Sequence, residues 1–124
     1  MADSNSYVVD ADEITRAVGN YIEGARTGSG DAMKPGFHEG ATIYGYTGAD
    51  LFGGPIAGLF TWNDGNGAAP TIKTRFTKID IAGTAANVRL DIDDWQGARF
   101  TDFFNLLKVD GVWKIISKVY YHHA

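Results

Sequence analysis

Cysteine is absent from the 124-residue chain, which excludes disulfides, thiolate nucleophiles and cysteine-ligated metal sites together. Positive charge is in deficit, with a formal net charge of -4, so the broad basic face that releases counterions from nucleic acid is not expected. No apolar run of signal-peptide or membrane-spanning length occurs, and the start "MADSNSYVVDADE" is acidic, which implies a cytoplasmic protein with no membrane partner. Internal repeats and low-complexity tracts are also missing. The glycine-rich stretches "FGGPIAG" and "NDGNG" lack a phosphate-loop pattern and read as turns, so no cofactor is expected. His122 and His123 are adjacent and would point to opposite faces of a strand, so no metal site is expected either.

What is present is an ordinary globular balance of 44% hydrophobic and 21% charged residues, sufficient for one core. Residues 1–9 read as a flexible arm and residues 10–124 as a single domain. Asp10 and Glu13 resemble a capping pair, after which Ile14, Ala17, Val18, Tyr21, Ile22 and Ala25 recur at helical spacing. "TGSG" ends that helix, and a short second one is expected over Asp31 to Lys34 before Pro35-Gly36. "ATIYGYTG" and "DLFGG" read as strands, and Pro55 suits the first turn of a third helix carrying Ile56, Leu59 and Phe60. Long strands follow over Thr71 to Ile81, Ala86 to Trp95, Ala98 to Val109 and Val112 to His122. Helices first and strands afterwards make the fold α+β.

The Asp110-Gly111 pair between two apolar runs predicts a two-residue hairpin. An uninterrupted register from Val109 opposite Val112 places Asn105, Phe103, Lys118 and Tyr120 on one face. Phe104, Leu106, Trp113, Ile115, Val119 and Tyr121 take the other. Both faces are rich in large apolar groups, so the helices cover one and a second copy of the chain is expected on the other, with Asp102 and Lys108 at its margin. An amide at Asn105 on the inner face needs a hydrogen-bonding partner, which a ligand cavity supplies. Lys118 on the same face either pairs with a carboxylate, snorkels to the rim, or loses its proton and becomes a usable amine. In "VRLDIDDW", Val88, Leu90 and Ile92 alternate with Arg89, Asp91 and Asp93, a pattern better suited to a solvated or interface face than to acid–base work.

The tyrosine-bearing first helix, the "FHEGATIYGY" segment, a short helix and four long strands ending in "NLLKVDGVWKIISKVYY" resemble the nuclear transport factor 2-like superfamily. Within it the chain is most similar to small bacterial SnoaL-like proteins labelled as lumazine-binding. The resemblance implies a cone-like curved, mixed or antiparallel sheet wrapped by about three N-terminal helices, a cystatin-like α+β roll, with a pocket in its open end. It also implies a homodimer joined through the sheet. Distant ketosteroid isomerase relatives carry an oxyanion-binding tyrosine where this chain has Tyr21 and a protonated aspartic acid at the place of Asn105. Their general base falls at Gly45, so that base is missing here.

The resulting expectation is a small-molecule-binding protein with a mostly apolar, aromatic-lined pocket. Its expected ligand-binding residues are Tyr21, Tyr44, Phe60, Trp62, Phe103, Asn105, Lys118 and Tyr120. The alternative is an isomerase, dehydratase or cyclase acting on a small cyclic carbonyl compound, with Tyr21, Asn105, Lys118 and His38 as candidate catalytic residues.

Overall fold

Helix α1 spans Tyr7–Thr27 and begins earlier than its apolar spacing predicts, because Ser6 rather than Asp10 caps it: the Ser6 hydroxyl accepts from the Val9 amide. The computed structural model describes residues 6–124; of the expected arm, residues 1–5 lie outside the described residues and residues 7–9 form the first turn of α1. Asp10 is instead a tie between helix and sheet. Its Oδ1 accepts from the Trp113 indole at 3.0 Å and from the Lys108 ammonium at 3.2 Å. These donors, the indole first, hold the Asp10 carboxyl below the ordinary carboxylate range. A group whose folded pKa is depressed contributes stability above its unfolded pKa of about 4 and loses it as pH falls through the folded value. Asp10→Asn is therefore expected to flatten the loss of stability on acidification. Urea midpoints measured between neutral pH and pH 3 check this, and an unchanged acid dependence would contradict it.

The short helix α2 (Gly30–Met33) follows, then a 3-10 turn (Lys34–Gly36), strand β1 (Phe37–Thr47), strand β2 (Asp50–Pro55) and helix α3 (Ala57–Asn66). The second half is the meander β3 (Lys73–Ala82), β4 (Ala85–Trp95), β5 (Ala98–Val109) and β6 (Val112–His123). One six-stranded sheet results, in the order β2-β1-β6-β5-β4-β3, mixed because β1 runs parallel to β6 while every other pair is antiparallel. The helices lie on one face only. The stripe Ile14, Ala17, Val18, Tyr21, Ile22 and Ala25 is buried as its spacing predicts, against Val88, Leu90 and Ile92 of β4 and Phe104 and Leu106 of β5. Among the described residues, no helix is long and apolar enough to cross a membrane.

The β5–β6 turn is the expected one: Asp110 and Gly111 both have positive φ, 51° and 79°, as a type I′ hairpin requires. Val109 pairs with Val112 and Leu107 with Lys114, but the expected register then breaks. Leu106 pairs with Ile115 and Asn105 with Ser117, leaving Ile116 as the extra residue of a β-bulge. Beyond it every β6 side chain changes face. Lys118 now stands opposite Phe104 and Tyr120 opposite Asp102. Both join Trp113 and Ile115 on the helix-covered face, while Val119 and Tyr121 pass to the open one.

Candidate functional site

The bulge decides which expected site residues meet. Phe103 and Asn105 occupy the open face of the sheet and not the cavity, because β5 turns Asp102, Phe104 and Leu106 inward. There Asn105 donates to the Ser117 hydroxyl and accepts from Asn87, so its amide is satisfied by its own sheet. Tyr44 is also on the open face, paired across strands with Val119. Phe60 is in the core, edge-on to Phe37 at 5.6 Å, and does not line the cavity. The His38 ring accepts from the Gly40 amide at 2.9 Å and stands outside the cavity. Asp102 is not at the margin of any surface, and Lys108 is held by Asp10.

Tyr21, Trp62, Lys118 and Tyr120 do come together, around a cavity of about 130 Å³ between the sheet, α1 and α3. Ile43, Phe52, Leu59, Trp95 and Phe100 complete its apolar wall, with Thr47 near the mouth. The aromatic part is a chain of edge-on contacts: Tyr21 to Trp95 at 5.8 Å, Trp95 to Phe100 at 5.6 Å, and Phe100 to Tyr120 at 6.0 Å. Trp62 stands partly exposed, edge-on to Trp95 at 5.7 Å.

Behind this wall lies a charged group that the sequence reading did not place here. Asp102 is fully buried, and its Oδ2 accepts from the Tyr21 hydroxyl at 2.6 Å. Its Oδ1 lies 3.5 Å from the Lys118 ammonium, an ion-pair distance rather than a formed hydrogen bond, and has no hydrogen-bond partner among the described residues. Lys118 Nζ sits 4.6 Å from the centre of the Tyr120 ring and 5.3 Å from that of Tyr21, both π-faces favouring a cation. The buried Trp95 indole nitrogen is likewise without a hydrogen-bond partner among the described residues. Unsatisfied buried polar atoms are rare in native folds; one of these belongs to Trp95 of the cavity wall and the other to Asp102 behind it.

Burial dominates the protonation of this cluster. It pushes the Asp102 carboxyl up, against the opposing pull of Lys118 and Tyr21, and pushes the Lys118 amine down, against Asp102. The Tyr21 hydroxyl rises well above its ordinary value, through burial first and the neighbouring carboxylate second. Tyr21 therefore remains a neutral phenol whose single proton is directed at Asp102. The amine of Lys118 is the polar group left facing the cavity.

Gly45 makes room for Tyr120. A Cβ there would come within 2.5 Å of the Tyr120 ring, so the ring occupies the space that a carboxylate side chain would need. Tyr120 in turn reaches Thr47 at 3.0 Å, hydroxyl to hydroxyl. A glycine at residue 45 and a tyrosine at residue 120 are thus one structural choice, which sets an aromatic ring over the Lys118 ammonium.

The family model described as Putative lumazine-binding matches residues 9–121. An NTF2-like protein of unknown function from Methylobacillus flagellatus KT superposes with a TM-score of 0.93 at 43% identity, over 98% of each chain. A second from Shewanella baltica OS155 gives 0.92 at 43% identity, over 97% of this chain and 98% of that one. Aldolase FrzH of a Cladobotryum species is 33% identical over 104 residues, 83% of each chain. The nuclear transport factor 2-like fold and the matched span agree, and the chain belongs to the Putative lumazine-binding family.

Proposed function

We propose that the chain binds a small, flat, largely apolar compound in the aromatic cavity, with a carbonyl oxygen of that compound against the Lys118 amine. The observation that carries this reading is the position of Lys118. An amine held in an apolar wall between two aromatic rings, with only a loose contact to Asp102, is costly unless a ligand uses it. Titrating the protein calorimetrically with acetophenone and with ethylbenzene isolates that contact, since the two differ chiefly in the oxygen. A hydrogen bond to a charged or strongly polar donor contributes about 1.5–3 kcal/mol, so the ketone should bind roughly ten- to a hundredfold tighter. Equal affinity would mean that the polar cluster does not meet the ligand.

A second reading, catalysis at the same carbonyl, is favoured by the aldolase relative and by the buried amine. It takes the form of an isomerase, dehydratase or cyclase working on a small cyclic carbonyl compound, with Lys118 and Tyr21 in contact with the substrate. Lys118 then takes the role that a carboxylate base plays in the ketosteroid isomerase pattern.

The open face of the sheet supports a homodimer. Tyr44, Tyr46, Phe103, Val119 and Tyr121 expose from 42% to 60% of their surface across three neighbouring strands, with no helix of the described residues over them. A patch of this kind on a soluble chain is ordinarily covered. Phe103→Lys is expected to shift the mass from dimer to monomer in sedimentation at micromolar concentration with the fold retained. A wild-type monomer, or a variant that stays dimeric, would rule this interface out.

A further inference from the structure

We infer that Lys118 is a covalent nucleophile that forms an iminium linkage with an aldehyde or ketone seated in the cavity. This deepens, and rests on, the reading of the cavity as a carbonyl-binding pocket.

Among the residues that line the cavity, Lys118 is the one with an aliphatic amine; the other ionisable groups there are the phenols of Tyr21 and Tyr120. A lysine desolvated in an apolar pocket gives up its proton readily and attacks carbonyls as the neutral amine. Burial acts on Lys118 in that direction, and Asp102 opposes it only across 3.5 Å. An ion pair kept for stability would be expected to close to hydrogen-bond distance and to satisfy both carboxylate oxygens, yet Asp102 Oδ1 has no hydrogen-bond partner among the described residues. The surroundings also suit the product. An iminium nitrogen at Nζ would keep its positive charge between the faces of Tyr120 and Tyr21 and beside the Asp102 carboxylate, the same features that meet the ammonium.

The step balances within the cluster. The pair holds one shared proton, resting on Asp102 when the amine is neutral. The Nζ lone pair bonds to the carbonyl carbon and the carbonyl π pair moves to oxygen, which takes up the proton that nitrogen releases. A second proton reaches that hydroxyl from Tyr21: with the proton on Asp102 their 2.6 Å hydrogen bond reverses, the carboxylic acid donates to the phenol oxygen, and Tyr21 regains one proton as it gives up the other. The carbon–oxygen bond then breaks and water leaves. The carbonyl compound, the amine and the carboxylic acid have become a protonated imine, a carboxylate and one water, with no outside oxidant or reductant. Asp102 does not line the cavity, so it is a positioning and relay residue acting through Tyr21 and Lys118.

The test is to incubate the full chain with cyclohexanone and sodium cyanoborohydride at neutral pH, and to follow intact mass, peptide map and calorimetric binding in parallel. The expected result is a mass gain equal to the probe less its oxygen, mapped to Lys118 in preference to the exposed Lys34, Lys73 and Lys78. The adduct should be lost in Lys118→Arg, whose guanidinium stays protonated and is no nucleophile. Binding of cyclohexanone without an adduct at residue 118 overturns the covalent step and leaves the pocket reading standing. Absence of both binding and adduct overturns both readings. Labelling confined to surface lysines overturns the covalent step as well, and because the map is made on the wild-type chain this holds even if the variant fails to fold.

Discussion

Asp102→Ala is expected to destabilise the protein by about 3–5 kcal/mol near neutral pH, the usual cost of removing one partner from a buried charged pair. It strands Lys118 and removes the acceptor of Tyr21, both inside the apolar wall. The loss should shrink as pH rises. In the variant the folded-state pKa of Lys118 falls further below the unfolded value of about 10.4, so between the two the unfolded chain binds more protons and stability climbs with pH. Denaturant midpoints near neutral pH and again near pH 9 check the sign. The double variant Asp102→Leu/Lys118→Met should recover most of the loss, because an apolar pair of similar volume in place of a buried ion pair is often neutral or stabilising by about 1–4 kcal/mol. Recovery would show that the charged cluster is not there to hold the fold. A double variant as unstable as the single one would contradict that.

Phe104→Lys should not fold. Phe104 is fully buried and edge-on to Tyr21 at 5.4 Å, so truncation alone costs about 3–5 kcal/mol. Burying an unpaired ammonium adds further cost, and together these approach the whole stability of a small domain, about 5–15 kcal/mol. Its neighbour Phe103, exposed on the other face, tolerates the same change. Circular dichroism and thermal melts of the two variants separate the faces directly. A folded Phe104→Lys with an unfolded Phe103→Lys would restore the uninterrupted register and remove the bulge from consideration.

That single bulge accounts for most of what the sequence did not reveal. The helix stripe from Ile14 to Ala25, the strand runs and the Asp110-Gly111 turn were legible because each rests on local periodicity or turn chemistry. So was the inward placement of Tyr21, which rests on the helix stripe; Lys118 and Tyr120 were placed inside by an uninterrupted register, whereas the bulge puts them there beside Phe104 and not Asn105. The face of β5 was not, since Ile115, Ile116 and Ser117 carry no glycine or proline to mark an extra residue, and one inserted residue exchanges the faces of everything beyond it. Asn105 was aimed inward and Asp102 outward, the reverse of what the sheet does. One signal was available: Ala98, Phe100, Asp102, Phe104 and Leu106 share a parity on β5, a carboxylate set among apolar residues before the row ends at Lys108. The capping hydroxyl of Ser6 shows the same limit at smaller scale, because Asp10 fits a capping pair as well and only the Trp113 and Lys108 contacts decide between them.

The pocket itself is tested most directly by the indole N–H resonances of the three tryptophans. Trp62 and Trp95 line the cavity, whereas the Trp113 indole is bonded to Asp10 at the far end of β6 and serves as an internal control. In a nitrogen-15 correlation spectrum titrated with acetophenone, the Trp62 and Trp95 signals should move saturably while Trp113 stays fixed, and the same titration of Lys118→Met should show weaker binding. Three unmoved indoles at saturating ketone, or equal affinity with and without the Lys118 amine, would contradict a carbonyl-binding pocket built around that residue.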